Sequence, residues 1–171
     1  MKKSLLALAA VAAISMLFMG CPNSSQGGSS DPTSGSTDPY ANIEGAEYLT
    51  LDELGSGWSA EYNASTQTIT WTGAYGGKGW WFGSKDASDY TTLNVVFSDA
   101  TGADPWLQLV VQYNDDSIDN STANGVFTKD SDGVFVLSCE LDSTGKADIM
   151  QAYIQGKATD NTATIKYAYF K

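Results

Sequence analysis

The run Trp106–Tyr113, WLQLVVQY, constrains the fold of this chain more than any other stretch. At the two-residue period of a β-strand, Leu107, Leu109, Val111 and Tyr113 share one face, while Trp106, Gln108, Val110 and Gln112 share the other. The first face is ordinary core. The second joins a tryptophan, two long amides and an aliphatic. That mixture suits neither a dry interior nor a charged solvent face, but it suits a surface that holds a polar, hydroxyl-rich ligand.

Comparable runs rich in Val, Ile, Thr, Tyr, Phe and Trp recur roughly every eight to twelve residues between turns of Asp, Asn, Gly, Ser and Thr. The pattern predicts strands over 47–51, 58–62, 67–72, 80–83, 92–98, 106–113, 125–128, 134–141, 148–155 and 163–170. These are too many for one sheet, so an all-β, two-sheet antiparallel sandwich is expected. Leu93, Val95 and Phe97 read as core, as do Ile165, Tyr167 and Tyr169. Near the C-terminus Met150, Ala152 and Ile154 oppose Ile149, Gln151, Tyr153 and Gln155. Two strands thus offer a face of glutamines flanking an aromatic.

The N-terminus is organised differently. Lys2 and Lys3 precede an apolar run, Leu5 to Phe18, in the layout of a secretory signal and too short to span a bilayer comfortably. The run ends in Leu17-Phe18-Met19-Gly20-Cys21, which resembles the lipobox of bacterial lipoproteins, with Gly20 before the cleaved bond and Cys21 as the lipid-modified N-terminus. Phe18 departs from the usual leucine of that motif. The resemblance implies residues 1–20 as signal peptide and a mature chain held on a membrane by its acyl chains, two or more of which anchor firmly. Pro22 stands where an aspartate would resemble an inner-membrane retention signal, which points to the bacterial outer membrane or cell surface. Residues 21–42 read as the lipidated cysteine and a flexible Gly/Ser/Pro linker with a reach of about 25 Å. The folded domain is expected over 43–171.

Charge narrows the partners. The chain has no histidine, and its nine basic residues are all lysines. Loss of Lys2 and Lys3 with the signal leaves seven lysines against 20 acidic residues, a formal charge of −13. Such a chain repels nucleic acid and anionic polysaccharide at long range. A neutral poly- or oligosaccharide fits better, although acidity also serves solubility alone.

A family resemblance rests on the run from Gly76 to Tyr113 and on the C-terminal segment from Asp148 to Lys171. Its elements are Gly79-Trp80-Trp81-Phe82-Gly83, the turn from Asp86 to Leu93, and Ile154-Gln155 leading into a terminal aromatic strand. These look like the jelly-roll, galactose-binding-like modules that occur as carbohydrate-binding modules in secreted bacterial proteins. The resemblance implies a jelly roll, a glycan ligand on a concave sheet or at a loop edge, and in many members a structural calcium ion. The acid-rich turns Asn114–Asn120 and Asp130–Gly133 are the candidates for calcium, with ordinary solvated turns, which Asp and Asn favour without any metal, as the default reading. They do not match a helix-loop-helix calcium loop, because Leu141 stands twelfth from Asp130.

Sugar rings present apolar C–H faces and a rim of hydroxyls, so their sites pair aromatic platforms with amides. Trp106, Gln108, Gln112, Gln151, Tyr153 and Gln155 supply those groups at alternate strand positions, and the same residues would serve a solvated outer face. Of the adjacent Trp80 and Trp81 one must point inward; Trp80 is expected outside, as a further ligand contact. Trp71 and Cys139 are expected in the core. No enzyme is expected, since without histidine the common triads and zinc sites fail. A glycosidase would need two carboxylates across a cleft, for which only Glu61 and Glu140 lie in expected strands. The leading expectation is a non-catalytic, lipid-anchored carbohydrate-binding domain. The alternative is a structural or adhesive surface lipoprotein that contacts another protein.

Overall fold

The computed structural model describes residues 38–102, 106–125, 127–142, 144 and 147–171. The expected signal peptide, Cys21 and most of the linker lie outside them. Eleven strands follow one another: β1 (Glu47–Tyr48), β2 (Ser56–Trp58), β3 (Ala60–Asn63), β4 (Thr68–Trp71), β5 (Gly76–Lys85), β6 (Thr92–Thr101), β7 (Trp106–Tyr113), β8 (Ile118–Asn124), β9 (Phe135–Glu140), β10 (Ile149–Gly156) and β11 (Thr162–Phe170). A single 3-10 turn, Leu51–Glu53, follows β1.

The strands form two antiparallel sheets. The first runs β3-β4-β11-β6-β9, with β1 also paired to β11, and the second runs β2-β5-β10-β7-β8. Between them lies one core, in which Ile69, Trp71, Trp80, Leu93, Val95, Phe97, Leu107, Leu109, Val111, Tyr113, Ile154 and Phe170 are buried. The period-two reading of β6 and β7 therefore holds, and an all-β sandwich is the architecture. Cys139 is buried on β9 beside Leu137 and Phe135. Trp71 lies across Gly156, where a Cβ would come within 2.4 Å of the indole, and its Nε1 donates to the Gly76 carbonyl at 2.8 Å.

Four expectations need correction. The expected strand over 58–62 is two strands in different sheets: Trp58 ends β2, Ala60 begins β3, and Ser59 between them turns the chain with φ +49°. The expected strand over 125–128 is not formed among its described residues; a strand stands instead just before it, β8, IDNSTAN, at the edge of the second sheet. Its polar sequence hid it, yet polarity is what an edge strand needs to resist pairing with other chains. In β11 a bulge at Lys166 shifts the register, so Ile165 faces the core together with Ala168 and Phe170, while Tyr167 and Tyr169 turn outward. A second shift at Met150 sends Ile149 into the core with Ala152 and Ile154 and leaves Met150 half-buried.

Residues 38–42, read as linker, are docked on the outer face of the first sheet. Asp38 pairs with Lys166 at 2.6 Å, and the Tyr40 hydroxyl donates to Asp130 at 2.7 Å. Tyr40, Ile43 and Ala46 pack on Val96, Val134 and Tyr169. The outer face of the first sheet is thus partly covered by the chain itself.

Candidate functional site

The outer face of the second sheet is built from alternate residues of five strands, and the pairing registers arrange them in rows. One row reads Trp58, Gly77, Gln155, Gln108, Thr122 from β2 to β8; the next reads Ser56, Gly79, Tyr153, Val110, Asn120; a third reads Trp81, Gln151, Gln112, Ile118. Trp106 stands beyond the first row, opposite Asn124. Of the seven residues expected at a ligand site, six fall on this one face: Trp106, Gln108, Gln112, Gln151, Tyr153 and Gln155. The opening pattern on β7 and its repeat on β10 are neighbours in one sheet.

Trp80 does not join them. It is 3% exposed, and its Nε1 donates to the Thr50 carbonyl at 3.0 Å, whereas Trp81 is 61% exposed. The assignment reverses because β5 begins at Gly76, well before the expected start, and its parity is set by glycines. Gly77 and Gly79 share the outer face with Trp81, and neighbours lie directly over both. A Cβ on Gly77 would come within 2.5 Å of the Trp58 ring, and one on Gly79 within 2.0 Å of the Ala152 carbonyl oxygen. The spaced glycines of Gly76-Gly77-Lys78-Gly79 were the available signal, since glycine within a strand marks a close approach.

Two aromatics that the sequence left unassigned, Trp58 and Tyr75, belong to the same face. Trp58, 45% exposed, packs edge-on against Tyr153 with ring centroids 5.0 Å apart. Tyr75, 52% exposed, packs edge-on against Trp106 at 5.9 Å. The two pairs are tied together: the Tyr75 carbonyl accepts from both Trp58 Nε1 and Gln155 Nε2, each at 3.0 Å. Tyr75 holds this position with φ +55°, a left-handed backbone that a bulky side chain seldom adopts. Strain of this kind persists where the surroundings over-determine it, and it gathers at binding sites.

The amides are ordered by one another. Gln151 Nε2 donates to Gln112 Oε1 at 2.6 Å, and Gln108 Nε2 donates to Asn120 Oδ1 and Thr122 Oγ1, each at 3.2 Å. An amide held at one end presents its remaining donor or acceptor in a fixed direction, so part of the entropy cost of ligand binding is already met. None of the residues in these rows is charged, on a chain of formal net charge −11. Burial raises the Tyr153 hydroxyl above its ordinary range, so it stays a neutral donor.

The acidic turns are occupied otherwise. Asp115 Oδ1 accepts from the Ser117 backbone N–H and hydroxyl, Asp130 Oδ1 from the N–H groups of Asp132 and Val134, and Asp130 Oδ2 from Tyr40. These are Asx turns and a side-chain latch. Among the described residues no three Asp, Glu, Cys or His side chains are grouped closely enough to hold a metal ion. Glu61 on β3 and Glu140 on β9 stand on opposite edges of the first sheet, separated by about 19 Å of strand spacing, well beyond the reach of a glycosidase pair.

Two hollows of about 310 and 340 Å³ lie along β11 of the first sheet, one lined by Tyr48, Leu51, Asp52 and Tyr167, the other by Asp38, Ser131 and Asp132, with Lys166 between them. Neither contains the aromatic and amide set. Fold and face together define a two-sheet antiparallel β-sandwich with an open, aromatic-lined outer surface whose three paired rows carry no charged side chain. Comparison of the chain with protein-family models, with curated proteins and with solved structures found no match.

Proposed function

We propose that the chain is a non-catalytic, lipid-anchored domain that binds neutral glycan on the outer face of its second sheet. The observation that carries this reading is the set of aromatic rings and mutually ordered amides in rows without a charged side chain, on a strongly acidic protein. Rings stack on the C–H faces of sugars while amides bond their hydroxyls in both senses. A neutral ligand meets no desolvated charge on this surface and loses nothing to the acidic remainder. The lipobox-like Leu17 to Cys21 supports an anchor at the outer membrane or cell surface, from which the domain would hold polysaccharide near the cell.

The direct test is retention of the protein on immobilised neutral polysaccharides, with Trp81→Ala and Gln108→Ala as controls that leave the fold intact. Retention by the parent and its loss in both variants supports the reading. Equal retention by all three proteins places the site elsewhere.

A second reading has its own observation. Trp58, Trp81 and Ile118 leave substantial apolar area on one sheet face, which a protein partner could bury at about 800 Å² per side. Soluble oligosaccharide would then fail to compete with that partner.

A further inference from the structure

Within the glycan-binding reading, and resting on it, we infer that the second sheet takes an extended neutral polysaccharide lengthwise, along the diagonal Trp81–Tyr153–Trp106, and grips internal rings instead of a chain end.

The geometry follows from register. Trp81 sits on β5, Tyr153 one strand over on β10, and Trp106 one strand further on β7, each displaced along the strand direction from the last. With strands about 4.8 Å apart and about 3.4 Å per residue, Trp81 and Trp106 lie about 22 Å apart across the sheet, with Tyr153 between them. No single sugar ring reaches across that span; an extended chain of several does. Gln151, Gln112 and Gln108 flank the diagonal on one side, and Trp58 with Gln155 flanks it on the other. Each ring of a chain so placed would meet an aromatic face or an amide edge.

The floor suits a chain passing over it. Gly79 brings no side chain to the outer face between Trp81 and Trp58, and Val110 in the same row is 2% exposed, so neither rises as a barrier. A site for a chain end needs a blind pocket that encloses most of one ring. The hollows described above lie on the other sheet, and among the described residues the rows carry no group that walls off either end of the diagonal. Nor do the three paired rows carry a carboxylate or an ammonium that would favour an oxidised or aminated terminal sugar.

The test uses the full chain. It is passed over immobilised neutral glucan, mannan, xylan and galactan, and oligomers of the retained polymer are then titrated by calorimetry, from disaccharide to hexasaccharide, each native and after borohydride reduction of its end. The expected result is an affinity that rises about tenfold or more from disaccharide to hexasaccharide and is indifferent to reduction. Trp81→Ala, whose side chain is mostly in solvent, should lower hexasaccharide affinity to that of a shorter oligomer while leaving the disaccharide nearly unaffected. Affinity that is complete at the disaccharide, or that vanishes when the end is reduced, overturns the lengthwise mode and leaves glycan binding standing. Retention on none of the four polymers overturns the glycan reading itself, and this inference with it.

Discussion

The indole Nε1 of Trp58 donates to the backbone carbonyl of Tyr75 at 3.0 Å, across the break between an edge strand and the loop that enters β5. Because Gln155 Nε2 shares that acceptor and the Tyr75 ring meets Trp106, one strained residue fixes the relative position of two aromatic pairs.

Tyr75→Gly separates the two roles of that residue. Glycine adopts φ +55° without steric cost and keeps the carbonyl, while its greater freedom in the unfolded chain offsets the relief by about 0.5–1 kcal/mol. Stability should stay within about 1 kcal/mol of the parent in thermal denaturation, while retention on neutral glycan falls because Trp106 loses its edge partner. A larger loss of stability would assign the Tyr75 ring to packing.

The adjacent tryptophans give a matched pair. Trp80→Ala empties a core position and breaks the bond to the Thr50 carbonyl, so it should destabilise by about 3–5 kcal/mol. Trp81→Ala removes a side chain that is mostly in solvent and should change stability by no more than about 0.5 kcal/mol. Retention on neutral polysaccharide should fall in Trp81→Ala at unchanged melting temperature. Binding lost only together with the fold, and only in Trp80→Ala, would reverse the assignment.

This pair also shows what was legible beforehand. Alternation in Trp106–Tyr113 and Thr92–Ser98 marked two central strands and their buried faces, because a side-chain period of two survives wherever a strand is regular. It failed where regularity failed. The bulge at Lys166 and the shift at Met150 each flip the faces beyond them, and no local residue type announces a single extra residue. β8 was invisible because IDNSTAN owes its strand state to pairing with β7, a tertiary cause, and not to propensity. Six of the seven proposed ligand contacts share a face because they lie on β7 and β10, where alternation is unbroken over the residues concerned. Trp58 and Tyr75 reach the same face through the sheet switch at Ser59 and a left-handed turn, which pattern alone does not encode.

Gln108→Ala should act on binding more than on folding. The amide makes two side-chain bonds at the surface, to Asn120 and Thr122, and such a loss costs about 0.5–1.5 kcal/mol per bond at most. Calorimetry should show weaker glycan binding at an intact fold, and Trp106→Ala should show the same with a somewhat larger loss of stability, since Trp106 is half-buried. If both variants bind like the parent, the β7 side of the face is not the site.

Acid should loosen the N-terminal latch before it touches the binding face. The Lys166 ammonium holds the Asp38 carboxyl below its usual range, Tyr40 does the same for Asp130, and Lys85 with Tyr90 does so for Glu47. The Tyr40 hydroxyl is correspondingly pushed up to about 12. A depressed carboxylate contributes stability above its unfolded pKa of about 4 and loses it as pH falls through the lower, folded value. Melting temperature should therefore be flat from neutral pH down to about 5 and fall below about 4. Asp38→Asn should melt lower than the parent at neutral pH, and the difference should close in acid. Glycan affinity should not change with pH where the domain is folded, nor with salt, because no group in the rows titrates there or is screened. A strong salt dependence would point to a charged ligand.

Gly77→Ala tests whether Trp58 is placed for a ligand. An added Cβ would come within 2.5 Å of the outer atoms of the Trp58 indole, so the ring must lift or swing, and with it the bond to the Tyr75 carbonyl and the contact with Tyr153. The obstructing atoms are the far end of an exposed side chain on a three-residue edge strand, not backbone, so the sandwich can accommodate the change at a cost of about 1–2 kcal/mol. Gly79→Ala is the contrast, since its Cβ would meet the Ala152 carbonyl of the central strand β10 and should destabilise the sheet itself. Measured side by side, Gly77→Ala should lose glycan affinity at nearly normal melting temperature, with a shift in tryptophan fluorescence that reports the displaced indole. Full affinity despite that shift would remove Trp58 from the binding surface and leave the diagonal of Trp81, Tyr153 and Trp106 to hold the ligand unaided.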